Sequence, residues 1–397
     1  MYLITHNEYE CCGCSACEQV CGHGALEMKQ NADGFIFPVK DLDKCTNCGL
    51  CERVCPYEHL DMKQKDSPAV YASYAKNVAE RMKSTSGALF YVIAKYVLEQ
   101  GGIIYGATLD ENMQVHHISA ESTEQLQLLR GSKYVQSKLN DTYREIRKHL
   151  RAGRMVYFTG VGCQVAGLKS FLMKDYPTLL TSDIVCHGTP SQKLFDEHIA
   201  YLEKQHNGKV VDYKFRDNAS WGGCETVTVI TDSKTRKTYR LPSYDLSPYL
   251  YSFMHAMTFR LSCYGCPFAS VPRQGDITLA DFWGARELFK ELDASHGVSL
   301  ILVNSPKGKE LLGRILPELD LVESDVEAAA AKNGNLVTHS VMPEIRNNIF
   351  DDIRQYGYTR VAKTTFRPSN YIKLRLLYRF IDIVGKDNYI KIRNLFR

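Results

Sequence analysis

No stretch of this 397-residue sequence is apolar for long enough to span a bilayer. The best run, Val298 to Val303, has the length and branched content of a buried strand instead. The opening, Met1 to Glu8, lacks the basic segment and apolar core of a secretory leader. An excess of one charge is missing too: 49 Lys and Arg stand against 45 Asp and Glu, a net +4. Bulk charge therefore selects no partner, and nucleic acid has no recognised binding motif here. There is no low-complexity tract and no internal repeat beyond one cysteine pattern. What remains is an ordinary globular balance, 44% hydrophobic and 24% charged, on a chain long enough for more than one domain. The expected setting is cytoplasmic.

Cysteine is abundant, with fourteen in the chain. A reducing cytosol disfavours structural disulfides, so this many thiols read as metal ligands. Cys11, Cys14, Cys17 and Cys21 have the spacing C-x2-C-x2-C-x3-C, and Cys45, Cys48, Cys51 and Cys55 repeat it, followed by Pro56. Three thiolates two residues apart wrap one 4Fe-4S cubane, while the fourth cysteine of each run reaches the other cubane. The assignment is Cys11, Cys14, Cys17 and Cys55 to one cluster, and Cys45, Cys48, Cys51 and Cys21 to the second. Zinc is the alternative, but zinc sites separate their C-x2-C pairs by longer loops. The pattern resembles the two-cluster bacterial ferredoxins, except that Gly22 stands where the first run usually has proline.

Six cysteines are left: Cys12, Cys163, Cys186, Cys224, Cys263 and Cys266. Cys263 and Cys266 form a C-x2-C pair, half a metal site. Cys163 follows an expected strand, 155–158, and Cys186 follows another, 182–185. In a parallel sheet both would stand at the carboxyl edge, where ligand crevices form. On spacing alone these four fit a third cubane or a zinc site, with Cys163 and Cys186 as small buried hydrophobes the alternative.

The periodicity beyond the cassettes alternates strand and helix. An amphipathic helix is expected over 88–99, ended by Gly101-Gly102, then a strand over 103–109. A basic helix over 142–150, helices over 164–173 and 191–205, and core strands at 275–281 and 297–304 follow. Val210 to Phe215 and Thr226 to Thr231 alternate like antiparallel strands of an insertion or a second sheet. The expected fold class is α+β/α/β: a small ferredoxin-like domain (1–60), a polar linker (61–68), a mixed-sheet α/β domain in two parts (68–150 and 151–325), and a helical basic tail (326–397).

Five stretches occur in a specific order: Ser84-Thr-Ser-Gly-Ala88, Gly131-Ser-Lys-Tyr-Val-Gln-Ser137, Thr159-Gly-Val-Gly-Cys-Gln-Val165, Asp183-Ile-Val-Cys-His-Gly-Thr-Pro-Ser191 and Gly275 to Gly284. Together they resemble the coenzyme F-420 hydrogenase/dehydrogenase beta-subunit family, over residues 1 to about 310. The resemblance implies an iron–sulfur flavoprotein in which FAD lies beside a 4Fe-4S cluster, with Cys163, Cys186, Cys263 and Cys266 as its ligands. It departs at Gly162, where the family has proline before the cysteine, and at Ala88, where it has a second glycine.

Within that resemblance, Ser84, Thr85, Ser86 and Gly87 offer a phosphate cradle at a helix start, or simply a helix cap. Gly160, Gly162 and Gln164 allow close approach of a ligand beside Cys163, or form a tight turn. Lys133 would place positive charge near the flavin, and His187 would donate a proton during hydride chemistry; a structural hydrogen bond is the alternative for His187. Asp281, with Phe282 and Trp283, would cover the ring or merely pack.

The function implied is an oxidoreductase passing electrons between a hydride carrier at FAD, coenzyme F-420 among the candidates, and 4Fe-4S clusters, with a redox partner protein or ferredoxin. The other readings are a ferredoxin-fed reductase of a small metabolite, such as a glycan or cell-envelope precursor, and a non-catalytic electron-transfer subunit. From Asn370 to Arg397 seven Lys and Arg accompany two Asp and many apolar residues. That tail either docks on protein or lies on the inner membrane surface.

Overall fold

The computed structural model describes residues 1–60, 67–217, 225–231 and 233–385. Most of the expected linker, Cys224, and the last part of the basic tail lie outside the described residues. After a short helix Tyr2–Thr5, the principal elements in chain order are helix α1 (Ala16–Val20), hairpin strands β1 (Leu26–Gln30) and β2 (Ile36–Lys40), and α2 (Leu50–Arg53). Then come β3 (Ala69–Ala75), α3 (Leu89–Glu99), β4 (Ile103–Leu109), β5 (Val115–Ala120), α4 (Thr123–Leu129) and α5 (Thr142–Arg151). Next are β6 (Val156–Val161), α6 (Gly162–Leu172), β7 (Leu179–Ile184), α7 (Gln192–His206), β8 (Gly208–Lys214), β9 (Thr226–Thr231), β10 (Arg236–Arg240) and α8 (Pro248–Met254). The last are β11 (Ile277–Asp281), β12 (Ser299–Val303), α9 (Pro306–Ile315), β13 (Leu319–Ser324), α10 (Ile349–Tyr356), α11 (Tyr358–Thr364) and α12 (Tyr371–Val384).

The chain divides into two compact units: residues 1–196 with 258–342, and residues 197–257 with those from 343 onward. The first holds an eight-stranded sheet in the order β13-β3-β12-β11-β7-β6-β4-β5. Strands β4, β6, β7 and β11 pair in parallel, whereas β5, β12 and β13 run against their neighbours. Strand β3 opposes β12, which opposes β11, so β3 points the same way as the parallel four. Their carboxyl ends therefore open on one edge of the sheet.

Helices cover both faces. On one, Leu89, Val92, Ile93 and Val97 of α3 recur at helical spacing and bury against Ile104, Tyr157 and Ile301. On the other, Ile103, Tyr105 and Phe158 meet Tyr143, Ile146, Val165, Leu168 and Phe171. Ala16, Val20 and Val54 of the cysteine cassettes belong to this second core. The cassette segment is thus packed as part of the first unit. Each buried aliphatic side chain of this kind contributes about 1.5–3 kcal/mol.

In the second unit β8, β9 and β10 form an antiparallel sheet. Its centre is polar: Glu225 Oε2 accepts from Tyr213 at 2.6 Å and from Ser247 at 2.5 Å, and lies 3.2 Å from His198 Nε2. Tyr358 OH meets His198 Nδ1 at 3.0 Å. Among the described residues no helix is long and apolar enough to cross a membrane.

Candidate functional site

Cys11, Cys12, Cys14, Cys17 and Cys55 line one open cavity of about 30 Å³, together with Tyr2, Met28, Pro38 and Tyr57. The loop before α1 turns sharply, with Gly13 at φ +69° and Ser15 at φ +58°, which aims the thiols inward. The thiols sense one another. Burial raises the Cys17 pKa well above its ordinary value, and the charges of Cys11 and Cys55 add to that. Burial likewise pushes Cys55 to about 12. The Gly13 amide donates to Cys11 Sγ at 3.4 Å, an interaction suited to a thiolate ligand. So the last cysteine of the second cassette joins three of the first, and this donor set suits a cubane.

Two of the other four share that loop chemistry. Cys21 Sγ accepts from the Ala25 amide and Cys45 Sγ from the Asn47 amide, both at 3.4 Å. Cys51 lies on α2, which packs beside α1, and its charge reaches Cys17. Cys48 is exposed.

At the carboxyl edge of the sheet, Cys163 opens α6 directly after β6 and Cys186 follows β7. The Cys263-x2-Cys266 pair occupies the 3-10 turn Leu261–Gly265 and its cap. These thiols lie within electrostatic reach of each other. Burial raises Cys266 to about 12, with Cys263 and Cys186 adding; burial raises Cys186 to about 12, with Cys263 adding. Cys163 is raised well above its ordinary value by a hydrogen bond to Cys12 and by burial, with Cys266 and Cys186 adding. Thr189 Oγ1 lies 3.9 Å from Cys263 Sγ. Among the described residues, no three Cys, His, Asp or Glu groups close to the distances of a single metal ion.

The two cysteine sites adjoin. Cys12 lies between them, within hydrogen-bonding reach of both Cys14 and Cys163, and those two contacts pull its pKa well down. Gly167 of α6 is where a Cβ would meet Cys14 Cβ and Sγ at 2.9 Å, so its lack of a side chain lets the helix close on the cassette. Arg260, 1% exposed, donates from Nε to Cys11 O at 2.5 Å and stacks 4.0 Å above the Phe37 ring. Its Nη2 is buried without a hydrogen-bond partner. Tyr57 sits edge-on to Phe268 at 5.6 Å. Burial raises its pKa, and the charges of Cys12, Cys266 and Cys163 add to the rise.

The flavin candidates gather along the same edge. Ser86 Oγ lies 3.0 Å from Ser299 Oγ, and Ser299 pairs with Asp281 across β12 and β11. The Gly87 amide also donates to Ser299 Oγ, at 2.9 Å, so in this conformation it serves the sheet. Ser84 Oγ accepts from Arg130 Nη2 at 2.7 Å, and Ser132 Oγ donates to Thr85 Oγ1 at 3.5 Å. Arg130 Nε is buried without a partner. Lys133 Nζ donates to the carbonyls of Leu128, Leu129 and Arg130 at 3.4, 2.9 and 2.8 Å, capping α4. Burial pulls its pKa to about 7, while three carbonyl partners favour the ammonium, which alone can fill all three.

The segment that carries Lys133 runs on to the cysteine site. Gln136 Nε2 donates to Cys12 O at 3.1 Å, and Ser137 Oγ accepts from Gln164 Nε2 at 3.0 Å. Ser137 then meets His117 Nδ1 at 3.0 Å, and burial holds that ring neutral by lowering its pKa to about 4. A Cβ on Gly160 would meet Gln164 Oε1 at 3.0 Å, and one on Gly162 would meet Phe268 at 3.3 Å. Burial lowers the His187 pKa, and the charge of Asp281 opposes it. Phe282 is packed edge-on against Phe289, whereas Trp283 is 49% exposed.

Sequence reasoning set Cys12 aside and passed over Arg130, Gln136, Tyr57 and Arg260. Arg130 directly precedes the Gly131–Ser137 motif, the one signal that could have drawn attention to it.

Comparison with known proteins gives two family matches. Residues 153–328 match the C terminus of the coenzyme F420 hydrogenase/dehydrogenase beta subunit, and residues 10–59 match a 4Fe-4S dicluster domain. No curated protein matches. Among solved structures, a chain of the F420-reducing nickel–iron hydrogenase complex from Methanosarcina barkeri aligns at 17% identity, over 74% of this chain and 94% of that one, with a TM-score of 0.45.

Proposed function

We propose that the chain is an iron–sulfur flavoprotein oxidoreductase, supported by the match of residues 153–328 to the C terminus of the coenzyme F420 hydrogenase/dehydrogenase beta subunit and of residues 10–59 to a 4Fe-4S dicluster domain. In this reading it passes electrons between a hydride carrier and a one-electron protein partner, in either direction. The observation that carries it is the junction of two cysteine sites through Cys12, with the Gly131–Ser137 segment leading from the second site to a hydroxyl- and cation-lined edge.

The residues suit the implied groups. Two cassettes supply eight thiols, and Cys163, Cys186, Cys263 and Cys266 supply four more for a third cubane. Arg130 is ion-paired through Nη1 with Glu80 at 2.5 Å and bonds the Ser84 hydroxyl through Nη2, and its buried, unpartnered Nε is left as a donor suited to an anionic cofactor such as the diphosphate of FAD. Bound flavin supplies conversion between hydride and single electrons, which cubanes, carrying one electron at a time, lack.

The chain's own groups do the rest. Ser84, Thr85 and Arg130 bind the anion, and Lys133 stiffens the segment beneath it. Gln164 is fixed through Ser137 and neutral His117. Tyr57 and Phe268 keep water from the space around Cys12, and His187, beside Asp281, handles a proton at the same edge.

Iron counting after anaerobic reconstitution tests the ligand sets. Three cubanes require about twelve irons per chain. The C163S/C186S double variant should retain about eight, with the ferredoxin pair intact. Equal iron in both proteins would remove the third cluster from the scheme.

A further inference from the structure

Helix α12 is apolar on two opposite faces. One face packs on the Tyr244–Leu246 turn of its own unit, with Ile381 only 4% exposed. The other turns outward: Ile372, Leu376, Phe380 and Ile383 are 71, 60, 45 and 83% exposed. At helical pitch these four fall within about 80° of arc, one continuous stripe. Exposed cations border it on both sides, Arg375 and Arg379 along one rim and Lys373 along the other. A packed helix needs only one apolar face, and folding of the unit gives the outer stripe no role.

We propose that α12 is an interfacial anchor that lays this stripe into an anionic lipid surface. The flanking cations choose this occupant. A second copy docked stripe to stripe would set Lys373, Arg375 and Arg379 against the same charges, which is unfavourable, whereas lipid headgroups of negative charge complement both rims at once. The apolar side chains enter the headgroup boundary while the basic side chains extend to the phosphates. The helix is 14 residues long, which suits lying in the surface and not crossing it. This surface belongs to the second unit, so it is independent of the cysteine chemistry.

The test is flotation of the full-length, anaerobically purified protein with phosphatidylcholine vesicles, and with the same vesicles containing phosphatidylglycerol. Binding to the anionic vesicles is expected, weakening as salt rises. Ile372→Glu with Ile383→Glu should abolish it, and Lys373→Gln with Arg375→Gln and Arg379→Gln should weaken it about tenfold or more. All five positions are exposed, and an unchanged circular dichroism melt verifies folding of each variant. No binding by the parent protein, or equal binding to both vesicle types, overturns the proposal. So does a dimer in free solution that the two glutamates dissociate, since the stripe would then cover a second copy.

Discussion

Ala88 stands at φ +68° as the cap that opens α3. An L-residue with a Cβ is strained there by about 1–2 kcal/mol, and this is where the resembled family has glycine. Ala88→Gly should therefore stabilise the protein by about 1 kcal/mol, read as a higher denaturant midpoint at unchanged slope. Arg260 makes a different kind of contribution. Its charge lies beside Cys11, Cys12 and Cys263 and lowers the pKa of each. A buried cation favours the reduced, more negative state of an adjacent cluster. Arg260→Gln should lower the midpoint potentials of the clusters proposed at the two adjoining cysteine sites by on the order of 50 mV, followed by electron paramagnetic resonance during redox titration. Arg260→Lys, which keeps the charge and loses the fork, should shift them much less. Equal shifts in both variants would assign the effect to packing instead.

Elements with a clear period were legible in the sequence. The helix expected over 88–99 is Leu89–Glu99, and the strand over 103–109 is found with those bounds. The expected strand at 182–185 begins earlier, at Leu179, because its first half pairs with Val156 to Phe158 of β6 as a core strand. Strands β1, β2, β3, β5, β10 and β13 went unseen. Each takes its place from sheet pairing, as Leu319–Ser324 does against β3, more than from its own alternation. The ferredoxin spacing was fully readable because cubane ligation fixes it locally. The closure of α6 on the cassette was not, since Gly167 and Cys14 are remote in sequence and their spacing carries no pattern.

The polar centre of the second unit was equally invisible, and it makes an acid-sensitive element. Burial alone would raise the Glu225 carboxyl, but His198, Ser247 and Tyr213 together hold it below its ordinary value. A depressed carboxylate contributes stability above its unfolded pKa of about 4.3, and that contribution is lost as pH falls through the lower folded value. Glu225→Gln should reduce hydrogen-exchange protection of β9 and α8 by about 2 kcal/mol near neutral pH. The difference from the parent should shrink in acid, below about pH 4. A difference independent of pH would contradict the charged role.

For the whole molecule, the chain resembles a relay built around a converter. The two cysteine sites adjoin through Cys12 and Arg260, and one continuous segment, 131–137, ties them to the edge proposed to hold flavin. Without flavin the same cysteines make only a one-electron conduit, which is the reading of a non-catalytic subunit. The measurement that separates these is flavin released by acid from the anaerobically purified and reconstituted protein. The account predicts about one FAD per chain, markedly reduced in an Arg130→Gln variant that retains its iron. An iron-replete protein that takes up no flavin would contradict it and leave an iron–sulfur relay alone.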